Sequence, residues 1–194
     1  MSDRFYFIAN NLALDFANTL VVDEGDEPLE LLRSADDLTN WASAAGLRTR
    51  KIGPTSGRQA QDLLERALYL RSELKKMANA VSEGERVPAS VVKAINDELS
   101  RGHGHFELSA TPSGYSTAFR KDDKSSADIL VTIAESAARL LSEGDLDLVR
   151  KCQRSACVLY FYDNSKRHGR RWCSMSACGN RAKAAAHYRR SRAS

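Results

Sequence analysis

The first 151 residues of this 194-residue chain contain no cysteine; all four thiols come after them, at Cys152, Cys157, Cys173 and Cys178. No disulfide can therefore hold the larger part of the chain, and its stability has to come from an apolar core. Proline occurs four times and glycine eleven times, too few for a collagen-like or Pro/Gly-rich unstructured chain. No apolar run approaches the roughly 20 residues that a membrane-spanning helix needs. Met1-Ser2-Asp3-Arg4-Phe5 lacks the layout of a signal peptide. These absences predict a cytoplasmic protein with no membrane partner, where thiols stay reduced. A hydrophobic content of 42% beside 28% charged residues is that of an ordinary globule.

Acids are missing too, but from one end only. From Arg150 to Ser194 there are twelve Lys/Arg against a single acid, Asp163, a charge of +11. The whole chain carries +4, so the preceding part carries −7. Such asymmetry predicts a basic arm for a polyanion on a body that does not meet it. A solvated helix beside a charge-compensated metal site would account for the same arginines.

The cysteines form two Cys-x4-Cys pairs with a fifteen-residue spacer. Two such knuckles, in a chain without a secretion signal, supply the closed four-sulfur shell of one structural zinc ion. Zinc with four thiolates keeps a formal charge of about −2, which Arg154, Arg170, Arg171 and Arg181 would offset. Val158–Tyr162 reads as a strand and Asp163-Asn164-Ser165 as a turn. Gly179 offers a positive φ for a tight turn, and Asn180 an N-cap for the helix formers that follow. Knuckle, short hairpin, knuckle and helix make a treble-clef-like plan. Tyr160, Tyr162 and Trp172 are expected to pack beneath the knuckles rather than stack on bases.

Arg171-Trp172-Cys173-Ser174-Met175, then Cys178-Gly179-Asn180-Arg181 and Lys183, together with Phe161-Tyr162-Asp163-Asn164-Ser165, resemble the CGNR-type zinc finger. Near the other end, Leu12-Ala13-Leu14-Asp15-Phe16-Ala17-Asn18-Thr19 resembles the opening of the ABATE domain. That domain accompanies CGNR fingers in a family of stress-induced transcription regulators, so the resemblance implies DNA as a partner.

Between these ends the chain reads as mainly helical. Asp15, Asn18 and Thr19 fall at i, i+3 and i+4 on one helix face among apolar neighbours. They form either a buried hydrogen-bond network or the polar anchors of a small-molecule pocket. Leu31–Leu47 predicts a helix capped by Ser34 and stopping near Gly46, with Trp41 in the core. Leu63, Ala67, Leu70, Leu74, Met77 and Val81 step by four and three as a buried stripe ending at Glu83-Gly84. A further helix from about Pro88 turns Val91, Val92, Ile95 and Leu99 inward. His105–Ala110 and Tyr115–Arg120 flank a turn at Thr111–Gly114, a hairpin, and His103 and His105 read as exposed loop histidines. A last body helix, Ser125–Ser142, is expected to carry the finger. The fold class is therefore mainly α with a small antiparallel β-hairpin and a C-terminal treble-clef-like zinc finger, divided as residues 1–148 and 149–194.

The tail helix is expected to dock through Ala184, His187 and Tyr188. Arg167, Arg170, Arg171, Arg181, Lys183, Arg189, Arg190 and Arg192 would then contact nucleic acid. The reading is a transcription regulator that binds DNA through its finger, with the body sensing a small-molecule effector or forming a homodimer. A finger for RNA or an acidic protein partner is the alternative. An enzyme built on Asp15, Asn18 and the loop histidines has no nucleophile–base pair, phosphate loop or open metal site behind it, so none is expected.

Overall fold

Asn11 sets the first element: its side chain accepts from the Leu14 amide at 3.1 Å and opens helix α1, Leu12–Ala17. Six residues are too few for a helix to stand alone. This one is held by burial, with Ala13, Leu14, Phe16 and Ala17 fully enclosed. The computed structural model describes residues 5–22, 27–47, 57–102, 104–111, 114–121 and 127–192.

After α1 the chain forms strand β1, Leu20–Val22, paired antiparallel with β2, Pro28–Glu30, in the register Val21 opposite Leu29. Helix α2, Ala35–Ala44, begins where expected: the Ser34 hydroxyl takes the Asp37 amide, and Asp37 reaches back to the Arg33 amide at 2.8 Å. Gly46, at φ 76°, ends it. Helix α3, Arg58–Ser82, buries Leu63, Ala67, Leu70, Leu74 and Met77 along its stripe and stops at Gly84, φ 70°. Helix α4, Ala89–Leu99, follows Pro88. Its inner face is Val91, Ala94 and Ile95, whereas Val92 is 46% exposed. At 100° per residue Val92 lies about 160° from Ala94 and about 60° beyond Ile95, outside the arc of the buried stripe.

Strands β3, Gly104–Thr111, and β4, Gly114–Lys121, form the expected hairpin, Phe106 opposite Phe119. His103, the Pro112-Ser113 turn and Ser125 lie outside the described residues. Helix α5, Ala127–Glu143, buries Ile129, Leu130, Ile133, Ala137 and Leu140. A 3-10 turn at Leu146–Leu148 leads to β5, Val149–Lys151, which pairs antiparallel with β6, Tyr160–Tyr162. One π-helical turn, Met175–Gly179, runs into the last helix, α6, Asn180–Arg192.

The finger shares the body's core, with Val149, Leu159, Tyr160 and Phe161 buried in one cluster with α1, α2 and α3. It rests on α1 and α3, not on α5 as the chain order suggested. The apolar face of α5 is already taken up by α4 and α1. Arg71 of α3, 7% exposed, forks onto the Glu30 carboxylate at 2.5 and 2.6 Å, which fastens the β1–β2 pair to the helix beneath the finger. Among the described residues no helix is long and apolar enough to cross a membrane.

Candidate metal centre and basic surface

Each knuckle is shaped by its own backbone. The Cys152 amide donates to Leu159 O at 2.9 Å, extending the β5–β6 ladder, and the Cys157 amide donates to Arg154 O at 2.9 Å. The loop between the two strands thus folds both sulfurs to one side. In the second knuckle the Ser174 hydroxyl accepts the Ala177 amide at 3.3 Å and so caps the π-helical turn that carries Cys178. The cap was expected at Asn180, which instead already has helical backbone at φ −67°, ψ −41°. Nor is Gly179 in the left-handed region. A Cβ there would run into the Met175 side chain and lie 3.5 Å from Trp172 Cε3, so closeness, not turn geometry, suits the position to glycine.

All four sulfurs are buried and lie within 4.8 Å of one another. Cys157 and Cys173 Sγ are 3.8 Å apart, and Cys173 and Cys178 Sγ 3.5 Å. A tetrahedron with zinc–sulfur bonds of ~2.3 Å has sulfur–sulfur edges of ~3.8 Å, close to both of these separations. Hydrogen bonds from Cys157 and Cys173 hold the Cys152 thiol well below its usual range. The same sharing with Cys152 pushes Cys157 up to about 12 and Cys173 higher still. Zinc is bound by thiolates, so a cation entering the quartet displaces thiol protons. The donor set fits one structural zinc, closed on all sides by sulfur.

Arg170 is central to the finger rather than to its surface. Its guanidinium donates to Trp172 O at 3.0 Å, to Ile8 O at 2.8 Å and to Cys173 O, and lies 4.2 Å over the Phe161 ring. That takes it out of the expected phosphate-contacting set. Asp163, wholly buried, accepts from the Ser165 amide and hydroxyl at 3.1 and 2.6 Å and from the Arg170 amide at 2.8 Å. Burial raises its pKa, but these bonds outweigh it and hold the carboxyl below its ordinary value.

The other expected contacts are at the surface. Arg167, Arg171, Arg181, Lys183, Arg190 and Arg192 are exposed, and the side chain of Arg189 lies outside the described part. Arg171 donates to Gln153 Oε1 at 2.6 Å and stacks 5.0 Å from the Trp172 ring. Helix α6 does not dock as expected: Ala184 is exposed and Tyr188 is 59% exposed, while the His187 side chain lies outside the described part. Only the preceding π-helical turn makes substantial contact with it.

Asp15, Asn18 and Thr19 are each engaged within the chain. Asn18 is 1% exposed and bonds the Tyr160 backbone twice, Nδ2 to O at 2.8 Å and Oδ1 from N at 3.0 Å. Thr19 Oγ1 donates to Phe16 O at 2.8 Å. Asp15 Oδ1 accepts from Ile8 N and Ala9 N at 2.9 and 2.8 Å. The segment so held, Ile8–Asn10, is a strap that sequence reasoning missed. Ala9 O accepts from Tyr162 N at 2.8 Å, while Asn10 Nδ2 donates to Tyr162 O at 3.0 Å and Asn164 Oδ1 at 2.9 Å. Asn10 takes φ 56°, a conformation asparagine tolerates better than most residues. The paired asparagines before the apolar run were the available signal.

Burial raises the Asp15 pKa to about 6, against the pull of the Ala9 and Ile8 amides and the Arg170 charge. The folded state therefore binds this proton more tightly than the unfolded state. The associated stability is present below about pH 4 and is lost as pH rises through about 6. In Asp15→Asn the amide oxygen can still accept from both backbone groups. The difference in unfolding free energy between variant and parent, followed by denaturant titration, should rise in the variant's favour from pH 5 to pH 8 by roughly 1–3 kcal/mol. A flat difference across that range would count against a buried carboxyl titrating there.

Two family models match the chain. ABATE, described as “Putative stress-induced transcription regulator”, matches residues 10–144. The CGNR zinc finger matches residues 149–191. Comparison with curated proteins finds no match.

Proposed function

This chain belongs to the ABATE family and carries a CGNR zinc finger, and on that premise we propose that it is a DNA-binding transcription regulator rather than an enzyme. One observation carries the reading. Asp163, the only acidic side chain from residue 150 onward, is wholly buried, while Lys166, Arg167, Arg171 and the described cations of α6 are exposed. The described finger surface therefore offers cationic side chains and no carboxylate side chain. A zinc site closed by four buried sulfurs leaves no open coordination position for catalysis, and its role is to hold that surface in shape. Phosphates are the matching ligand, and lysine and arginine contacts to them give position and salt-dependent affinity.

The body supplies regulation in this reading, through an effector or a second copy of the chain. A cleft of about 460 Å3, lined by Asn10, Asn11, Thr132, Arg139 and Glu143 with Tyr162 of the finger, lies at the junction of the two parts. Clefts at such junctions are preferred ligand sites, and an occupant would touch the strap and the finger at once.

The test is binding of the zinc-loaded protein to mixed-sequence duplex DNA over a salt series. The logarithm of affinity should fall linearly with the logarithm of salt, and Lys166→Ala with Arg167→Ala should reduce that slope by roughly 2. Absence of binding at low salt would transfer the basic surface to RNA or an acidic protein partner.

A further inference from the structure

Helix α6 is thirteen residues long, and among the described residues its main packing is against the turn that launches it. Helices of this length are marginal in water without a packing partner. The turn before it is fixed by a zinc ligand, Cys178, so the metal centre anchors one end and leaves the rest for an outside surface. The pattern of its cations restricts what that surface is. At 100° per residue, Arg181, Ala185, Tyr188 and Arg192 form one stripe, and Lys183, Ala186 and Arg190 form another roughly 180° away. The cations of both stripes are exposed.

We propose that α6 inserts lengthwise into the major groove of B-form DNA, with Arg181 and Arg192 against one phosphate wall and Lys183 and Arg190 against the other. The proposal rests on the DNA-binding reading above and specifies the element and the groove. A flat acidic protein surface is met by one cationic stripe and leaves the opposite one unused; a groove has charged walls on both sides. The helix is also slim, because Ala182, Ala184, Ala185 and Ala186 occupy its middle. A helix of about 10–12 Å diameter fits the ~12 Å major groove of B-DNA. The deep, narrow major groove of A-form RNA does not admit it. Single strands are held by successive aromatic platforms. Helix α6 has only the adjacent His187 and Tyr188 rings rather than a spaced series, and the Arg192 guanidinium covers that of Tyr188 at 5.4 Å.

The experiment uses the full zinc-loaded chain, a mixed-sequence DNA duplex and the RNA duplex of the same sequence, each titrated by fluorescence anisotropy across a salt series. Two double variants are compared with the parent: Arg181→Ala with Arg192→Ala, and Lys183→Ala with Arg190→Ala. Zinc content and melting temperature check that each is folded, and Arg181→Lys with Arg192→Lys provides a charge-retaining control. Each alanine pair should lower the salt slope by roughly 2 and the affinity by roughly 10- to 100-fold, the lysine control should keep the slope, and the RNA duplex should bind at least about 10-fold more weakly than DNA. If only one pair matters, the partner surface is one-sided and the groove assignment fails. If neither pair matters while the parent binds DNA, another part of the finger makes the contact. Equal affinity for RNA also overturns the proposal. Failure of the parent to bind any duplex removes the DNA-binding reading itself, an outcome distinct from the other three.

Discussion

Cys173→Ser should strip the protein of zinc and destabilise far more than the finger. The Cys173 sulfur lies 3.8 Å from that of Cys157 and 3.5 Å from that of Cys178, one of the four vertices of the site. Serine places a hydroxyl where the ion needs a thiolate. In small zinc modules metal binding contributes roughly 10–16 kcal/mol of apparent folding free energy, comparable with the whole 5–15 kcal/mol stability of a typical domain. Here the effect cannot stay local. Phe161 and Tyr160 lie in the same core as Phe16, Trp41 and Leu74, and the strap joins the N-terminal segment to β6. Zinc content should fall from one per chain to near zero. The thermal transition of the body's helices should drop by roughly 10–20 °C, taking a loss of ~5 kcal/mol at 2–4 °C per kcal/mol. Retained zinc with an unchanged melt would refute the ligand assignment. Loss of zinc with the body melting at its parental temperature would instead show that finger and body unfold independently.

What the chain disclosed beforehand follows the range of the forces involved. The α3 stripe, the Ser34 cap, the stops at Gly46 and Gly84 and the β3–β4 pairing all depend on residues a few positions apart, and each stands close to its expected place. The cysteine spacing was legible because a tetrahedral ion imposes its own geometry on any chain that wraps it. The β1–β2 pair was not legible, since three-residue strands are too short to show alternation. Arg170 looked like a surface cation from its neighbours. Its partners, Ile8 O and the Phe161 ring, lie 162 and 9 residues away in the chain. The undocked state of α6 was hidden for the converse reason. An alanine–tyrosine face reads as a packing face, and only the fold shows Ala184 and Tyr188 exposed, with the launching turn as the main contact among the described residues.

The second large effect concerns Asn18, where a ligand anchor and a structural latch make opposite predictions. Its amide closes both polar groups of the Tyr160 peptide, at 2.8 and 3.0 Å, where α1 meets β6. Asn18→Ala leaves an N–H and a C=O without partners at a site that is 1% exposed in the parent. Each orphaned group costs roughly 1–3 kcal/mol, so the variant should lose about 2–6 kcal/mol of stability, measured by denaturant unfolding with zinc present. Asn18→Asp separates the two halves of the bond. The new carboxylate can accept from the Tyr160 amide, but it faces the Tyr160 carbonyl with no proton to share and buries a charge. Protonated, it can donate to that carbonyl. Its folded pKa should therefore lie above the unfolded value near 4, so stability is fullest below that pH and is lost as pH rises through the folded pKa. Measured against the parent at each pH, so that acid effects on the zinc thiolates cancel, the aspartate variant should recover stability toward pH 5 while the alanine variant stays flat. A pocket anchor would behave otherwise: either substitution would weaken effector binding and leave unfolding within about 0.5 kcal/mol of the parent, as surface changes usually do. That second pattern would overturn the role of Asn18 as the latch between α1 and β6 and leave it a ligand anchor.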